Sequence, residues 1–208
     1  MNKCYISKRL DFAKENLITD WSSVCFSDEK KWNLDGPDGY NNYWHDKRTQ
    51  ELFKKQRQMR GGGVMVWAGI WADGKTDIVF IDGNINSEKY IKVLEGNLLP
   101  HQHKFTIFQQ NNAPIHNSKM TSEWLIDNDI SVVTWPPCSP DLNPIENLWG
   151  ILTQRVYKNN TFYSNVQELK DAIMQAWDGI GEDILRTLST SMNNRIFNLI
   201  LKKGCHIK

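Results

Sequence analysis

Ser139-Pro140-Asp141-Leu142-Asn143-Pro144-Ile145-Glu146-Asn147-Leu148-Trp149 is the stretch on which the reading of this 208-residue chain turns. Its second half has the chemistry of a helix start. Asn143 suits the N-cap, Pro144 the first helical position and Glu146 the third, where a carboxylate meets free backbone N–H groups. Downstream, Ile145, Leu148, Trp149, Leu152 and Val156 recur at helical spacing and form one apolar face. On that helix Glu146 stacks with Gly150 and Thr153, a stripe of small residues expected to let the helix edge approach a sheet closely. Capping alone accounts for these residues; the small-residue stripe is the detail that favours more.

Working outward, residues 7–17 read as a short helix capped by Ser7, with Leu10, Ala13 and Leu17 on one face. From Val24 the period changes to two: Val24, Phe26, Asp28, Trp32 and Leu34 share a face, and Glu29 and Lys31 point the other way. A turn follows at Asp35-Gly36-Pro37-Asp38-Gly39. Val64 to Trp71 is a nearly continuous apolar run, as expected of a strand buried on both faces, and Thr76 to Ile81 is its hairpin partner across Asp73-Gly74. Strands are also expected at Phe105–Gln110 and Ile130–Trp135, the latter stopped by Pro136-Pro137. A helix capped by Ser87 precedes the first of these strands, and one spanning about 118–127 lies between them. A capping box at Ser164 and Gln167 opens a further helix, and Leu185, Leu188, Met192, Ile196 and Leu199 mark the last. Antiparallel strands followed by alternating units predict an α/β fold with one mixed central sheet and helices on both faces.

Composition is that of an ordinary globular chain, 40% hydrophobic and 24% charged, which excludes disorder and collagen-like repeats. No apolar run approaches the ~18 residues that span a bilayer, so no membrane partner is expected. Four cysteines, Cys4, Cys25, Cys138 and Cys205, lie too far apart for a zinc framework and suit reduced thiols of a cytosolic or nuclear protein. His101 and His103 have no third ligand nearby and read as a loop. With 25 Lys+Arg against 24 Asp+Glu, the net charge of +1 argues against a wholesale nucleic-acid binder. The charge is uneven, however. Residues 45–60 hold Lys47, Arg48, Lys54, Lys55, Arg57 and Arg60 against Asp46 and Glu51, a local +4 beside Trp44 and Gly61–Gly63. Such a segment is a phosphate-binding candidate or a solvated hairpin face.

Three polar features break the apolar pattern. Asp28 sits on the apolar face of its strand, where an unpaired carboxylate is costly. Gln109-Gln110-Asn111-Asn112 ends an apolar strand, and the third feature is the segment 139–149. Val24–Lys30, Gln109–His116 and Ser139–Trp149 together resemble the three signature blocks of mariner-superfamily transposases, in the family's order. The resemblance continues through Gly61–Trp67 and the C-terminal helices, and covers nearly the whole chain.

That resemblance implies a ribonuclease-H-like catalytic domain over residues 21–208, with residues 1–20 as the end of a linker. It implies an acidic triad at Asp28, Asn111 and Glu146. The 34 residues between positions 111 and 146 match the branch whose third acid is glutamate. These positions would hold two Mg²⁺ ions, with Mn²⁺ as substitute, about 3.5–4 Å apart for phosphoryl transfer: hydrolysis at transposon ends, then attack of the freed 3′-hydroxyl on target DNA. Asp28 would bridge both metals. DNA, a homodimer and the nucleus follow as partners and compartment. Asn111 departs from the pattern, because the family has aspartate there; the amide keeps an oxygen but loses a charge, so activity should be impaired or absent. His116 is either an auxiliary near the phosphate or a structural histidine at a helix start. Asp141 reads as a turn or cap residue supporting Glu146. The alternative to a transposase domain is a catalytically dead, domesticated descendant serving as a DNA-binding or protein-interaction module.

Overall fold

Val24–Asn33 forms β1, the axis of the sheet, and its neighbours are set by sequence chemistry on either side. The computed structural model describes residues 3–37 and 62–207. β2 (Gly63–Trp71) runs antiparallel to β1, pairing Asp28 with Ala68 and Trp32 with Val64. β3 (Gly74–Lys75) and β4 (Val79–Ile81) pair with successive parts of β2, and β5 (Ile107–Gln109) lies parallel to β1 on its other side. The order is β3-β2-β1-β5, a mixed sheet as expected.

The helices are α1 (Lys3–Glu15), α2 (Ser87–Asn97), α3 (Lys119–Asp127), α4 (Pro144–Val156), α5 (Val166–Asp178) and α6 (Glu182–Leu201). On one face of the sheet, Phe26, Trp32 and Val66 share a core with Phe12 of α1, Leu148 of α4, Ile173 of α5 and Ile196 of α6. On the other, Cys25 and Trp67 pack with Tyr90 and Leu94 of α2 and Leu125 of α3. The apolar run of β2 is thus buried on both faces, by its alternating residues.

Several details differ from the sequence pattern. The predicted strand 76–81 is split, because Thr76 Oγ1 accepts the Gly69 N–H at 3.0 Å, putting a side chain where a ladder carbonyl would stand. The predicted strand 130–135 is reduced to one parallel bridge, Phe108 to Val132; beyond it Trp135 is drawn into the core against Phe12, ring centroids 5.3 Å apart. Asn86, not Ser87, caps α2. The capping box of α5 lies one residue on: Asn165 accepts the Glu168 N–H and Glu168 accepts the Ser164 N–H. Gly150 is exposed, with open space where a Cβ would point, so the small-residue stripe of α4 does not press on the sheet. The segment read as the end of a linker carries α1, which begins four residues before Ser7 and buries Arg9, Phe12 and Ala13; Leu17 lies past its end, 54% exposed. Phe12 ties it to Trp21 and Trp135, so the packing has no break at residue 20.

Candidate active site

Parallel register brings the first two predicted site residues together. Val24 pairs with Ile107 and Phe26 with Gln109, so extending that offset past the last paired residue sets Asp28 beside Asn111. The Asn111 amide Nδ2 donates to Asp28 Oδ1 at 3.4 Å. The third residue arrives on α4. Asn143 caps the helix by accepting the Ile145 N–H at 3.3 Å, Pro144 takes the first helical position, and Glu146 stands in the first turn, where the helix dipole favours a carboxylate. The Asn143 side chain also donates to Ser27 O at 3.1 Å, fastening the helix start to the strand residue before Asp28. Ser27 in turn donates from Oγ to Gln109 O at 2.9 Å. Asp28, Asn111 and Glu146 consequently line one open cavity of about 200 Å³, with Asn112, Cys138, Ser139 and Asn143.

The carboxylates are electrostatically strained. Burial, followed by the negative charges of Glu146 and Glu29, pushes Asp28 up to about 7, against the indole N–H of Trp149, which donates to Asp28 Oδ2 at 3.2 Å. Glu146, exposed at the cavity mouth, is still raised by partial desolvation, with the ammonium of Lys30 pulling the other way. Uncompensated negative charge on hard oxygen donors suits a divalent cation such as Mg²⁺.

A model of the DDE superfamily of endonucleases matches residues 23–170, a span containing all three positions. This chain belongs to that superfamily. The chain is 44% identical over 201 residues to the Tc3 transposase of Caenorhabditis elegans, covering 95% of this chain and 61% of that protein. It is 32% identical to the Tcb2 transposase of Caenorhabditis briggsae, covering 89% of this chain and 70% of the relative. In three dimensions the fold is similar to Mos1 transposase in a paired-end complex with the left transposon end, with a TM-score of 0.88 at 15% identity over 100% of this chain and 65% of that one. It also superposes on the catalytic domain of Mos1 mariner transposase, at TM-score 0.77 and 14% identity, covering 98% of that domain. The fold is therefore ribonuclease-H-like.

Within this DDE domain the middle position is the departure, and the structure shows what the amide does there. Asn111 Oδ1 accepts the Ala113 N–H at 2.9 Å, an Asx turn that leads the chain out of β5. With the oxygen committed, the NH₂ group faces Asp28. An aspartate could serve the turn with one oxygen and the cavity with the other; asparagine offers a donor instead. Asp28 and Glu146 both line the cavity with carboxylates, the donor chemistry of a hard cation, while Asn111 brings no charge and its oxygen is engaged by the Ala113 N–H. Among the described residues no group of three or more His, Cys, Asp or Glu side chains is placed to hold a metal ion.

His116 lies behind the site. It is 2% exposed, its Nδ1 is 3.1 Å from Asn111 O and its Nε2 is 3.2 Å from Glu29 Oε1. It stacks on Tyr90 at 4.2 Å and does not line the cavity. Lys47, Arg48, Lys54, Lys55, Arg57 and Arg60 lie outside the described residues. The sequence reading missed Trp149 as a polar partner, counting it only as apolar face, although it stands one turn after Glu146. It also did not join Ser27, Gln109 and Asn143 into a brace; an amide run ending an apolar strand was the available signal, and the structure shows Gln109 fully buried.

Proposed function

We propose that this chain is the catalytic domain of a cut-and-paste DNA transposase, built for metal-dependent strand cleavage and strand transfer and impaired by Asn111. The observation that carries the reading is the convergence of Asp28, Asn111 and Glu146, from β1, the end of β5 and the first turn of α4, on one cavity. The likeness to Tc3 and Tcb2 transposases supports it, as do Mos1 complexes with Mn and with Mg among the structural neighbours. When bound, a divalent cation supplies charge neutralisation and Lewis acidity for in-line displacement at phosphorus. Asp28 and Glu146 would hold it. Trp149 keeps Asp28 Oδ2 oriented by its indole N–H, and Asn143 holds the helix start, and with it Glu146, against β1. Asn111 spends its polar capacity on Ala113 and Asp28. Transposon ends and target DNA are the substrates, the functional complex is a homodimer, and the nucleus is the working compartment. No helix among the described residues is long and apolar enough to cross a membrane.

The test is Mn²⁺-dependent cleavage of plasmid DNA by this chain beside Asn111→Asp. The variant should be faster by about two to three orders of magnitude, the scale of losing one preorganised charge-stabilising group. Equal rates would remove the role assigned to position 111. A second reading, a non-catalytic DNA-binding or protein-interaction module, is favoured by the Asn111 N–H donated to Asp28. It predicts that Asn111→Asp remains inactive.

A further inference from the structure

Arg9 is a charged residue with no exposed surface, and its guanidinium is fully occupied. An arginine side chain has five N–H groups, and five acceptor contacts surround this one. Nη1 and Nη2 grip Asp141 Oδ1 and Oδ2 at 2.8 and 2.6 Å, and Nη1 also donates to Ser139 Oγ at 2.6 Å. Nε donates to Gly204 O at 3.0 Å, and Nη2 reaches Cys205 O at 3.5 Å. The Asp141 side chain is itself only 4% exposed. Burying such a pair brings little net stability over an apolar replacement; what it imposes is one orientation.

That orientation is passed to the site. Ser139 and Asp141 lie on the loop that enters α4, and Ser139 lines the cavity with Glu146. From α6, Arg195 donates to Asp141 O and to Asn147 Oδ1, both at 2.7 Å, holding the same loop and the residue after Glu146. From within, Asn143 is tied to Ser27. The loop is fixed on both sides, and Glu146 is the first carboxylate after it.

We propose that Arg9, acting through Asp141, is a positioning residue for Glu146, setting its carboxylate against that of Asp28. Its metal arm rests on the proposed function above. The first experiment is amide hydrogen exchange of Leu142, Asn143 and Glu146, whose N–H groups bond within the loop and first turn, in Arg9→Lys and in the charge-free pair Arg9→Met with Asp141→Asn. The pair keeps an acceptor for the Ile207 N–H, which bonds Asp141 Oδ2 at 2.9 Å, and leaves no unpaired buried charge. Exchange at these three amides should accelerate at least tenfold while amides of α5 are unchanged, and the double variant should melt closer to the parent than Arg9→Met alone. Exchange that rises equally across loop and α5, or at neither, would overturn the proposal. The second experiment measures Mn²⁺ affinity by calorimetry in the Asn111→Asp background. The dissociation constant should rise about 10–100-fold, the range for residues that orient metal ligands. Faster loop exchange with unchanged affinity would also overturn it. If the Asn111→Asp parent binds no Mn²⁺, the metal site itself fails, and loop exchange still decides the positioning role.

Discussion

Asn111→Asp should change the stability of the folded chain in opposite directions with and without metal. Without metal, the substitution replaces an N–H donated to Asp28 at 3.4 Å by a second carboxylate oxygen. Two unit charges at that distance repel by about 5 kcal/mol in an effective dielectric of about 20. Partial protonation of Asp28, whose pKa is already near 7, and separation of the side chains into the open cavity reduce this to about 2 kcal/mol. For a domain of this size that lowers Tm by about 4–8 °C. With Mn²⁺ at about a hundred times its dissociation constant, binding returns about 2.7 kcal/mol, enough to offset the loss. Differential scanning fluorimetry in chelator and in Mn²⁺ reads both arms. The unsubstituted chain, with two carboxylates and an amide donor, should shift much less. A variant that melts at or above the parent in chelator, or responds to Mn²⁺ no more than the parent, would refute the assignment of a donor-facing amide at position 111.

Three further outcomes are expected. The raised pKa of Asp28 means that the folded chain binds its proton more tightly than the unfolded chain, so this group lowers stability progressively as pH rises from about 4 to about 7. Asp28→Asn should accordingly raise the unfolding free energy from urea titration by about 2 kcal/mol at pH 8 and give no gain at pH 4; equal gains at both pH values would sink the assignment. Trp149→Phe keeps an aromatic ring in the core but removes the donor to Asp28 Oδ2. It should cost about 1.5–3 kcal/mol and raise the Asp28 midpoint further, as followed by carboxyl NMR titration. Replacing Lys54, Lys55 and Arg57 with Ala should weaken DNA binding and reduce the log–log salt slope by up to about 2.7; an unchanged slope would assign that segment to a solvated face or to subunit contacts.

The sheet and its helical cover were legible, because strand alternation and helix-start chemistry are written in short stretches; the grouping of Asp28, position 111 and Glu146 came only from the resemblance of three blocks to a family pattern. Other features depended on distant partners. Arg9 bonds residues 130, 132 and 195 positions away, so nothing near it in sequence marks it as buried; the face assigned to that helix ran through Leu10 and Leu17 instead. Trp149 fits the apolar spacing of α4, and only its proximity to β1 reveals the hydrogen bond to Asp28. The orientation of Asn111 is set by the amide two residues on, at Ala113, a detail that residue identity at 111 does not carry. Thr76 divided a strand by one hydroxyl contact, which alternation alone does not register.

The grip on Asp141 also sets an order of events during synthesis. Arg9 is made before its partners: its carboxylate partner follows 132 residues later, and the Ile207 N–H that completes the arrangement after another 66. Domains generally fold as units, and this loop cannot reach its final form until α6 and the segment after it are present. Gly204 makes the closure demanding: its φ is +83°, and a Cβ there would stand 2.1 Å from the carbonyl of Ile6. A chain ending before α6 would carry all three signature segments and still lack the contacts with Arg195, Gly204 and Ile207 that hold the loop before Glu146.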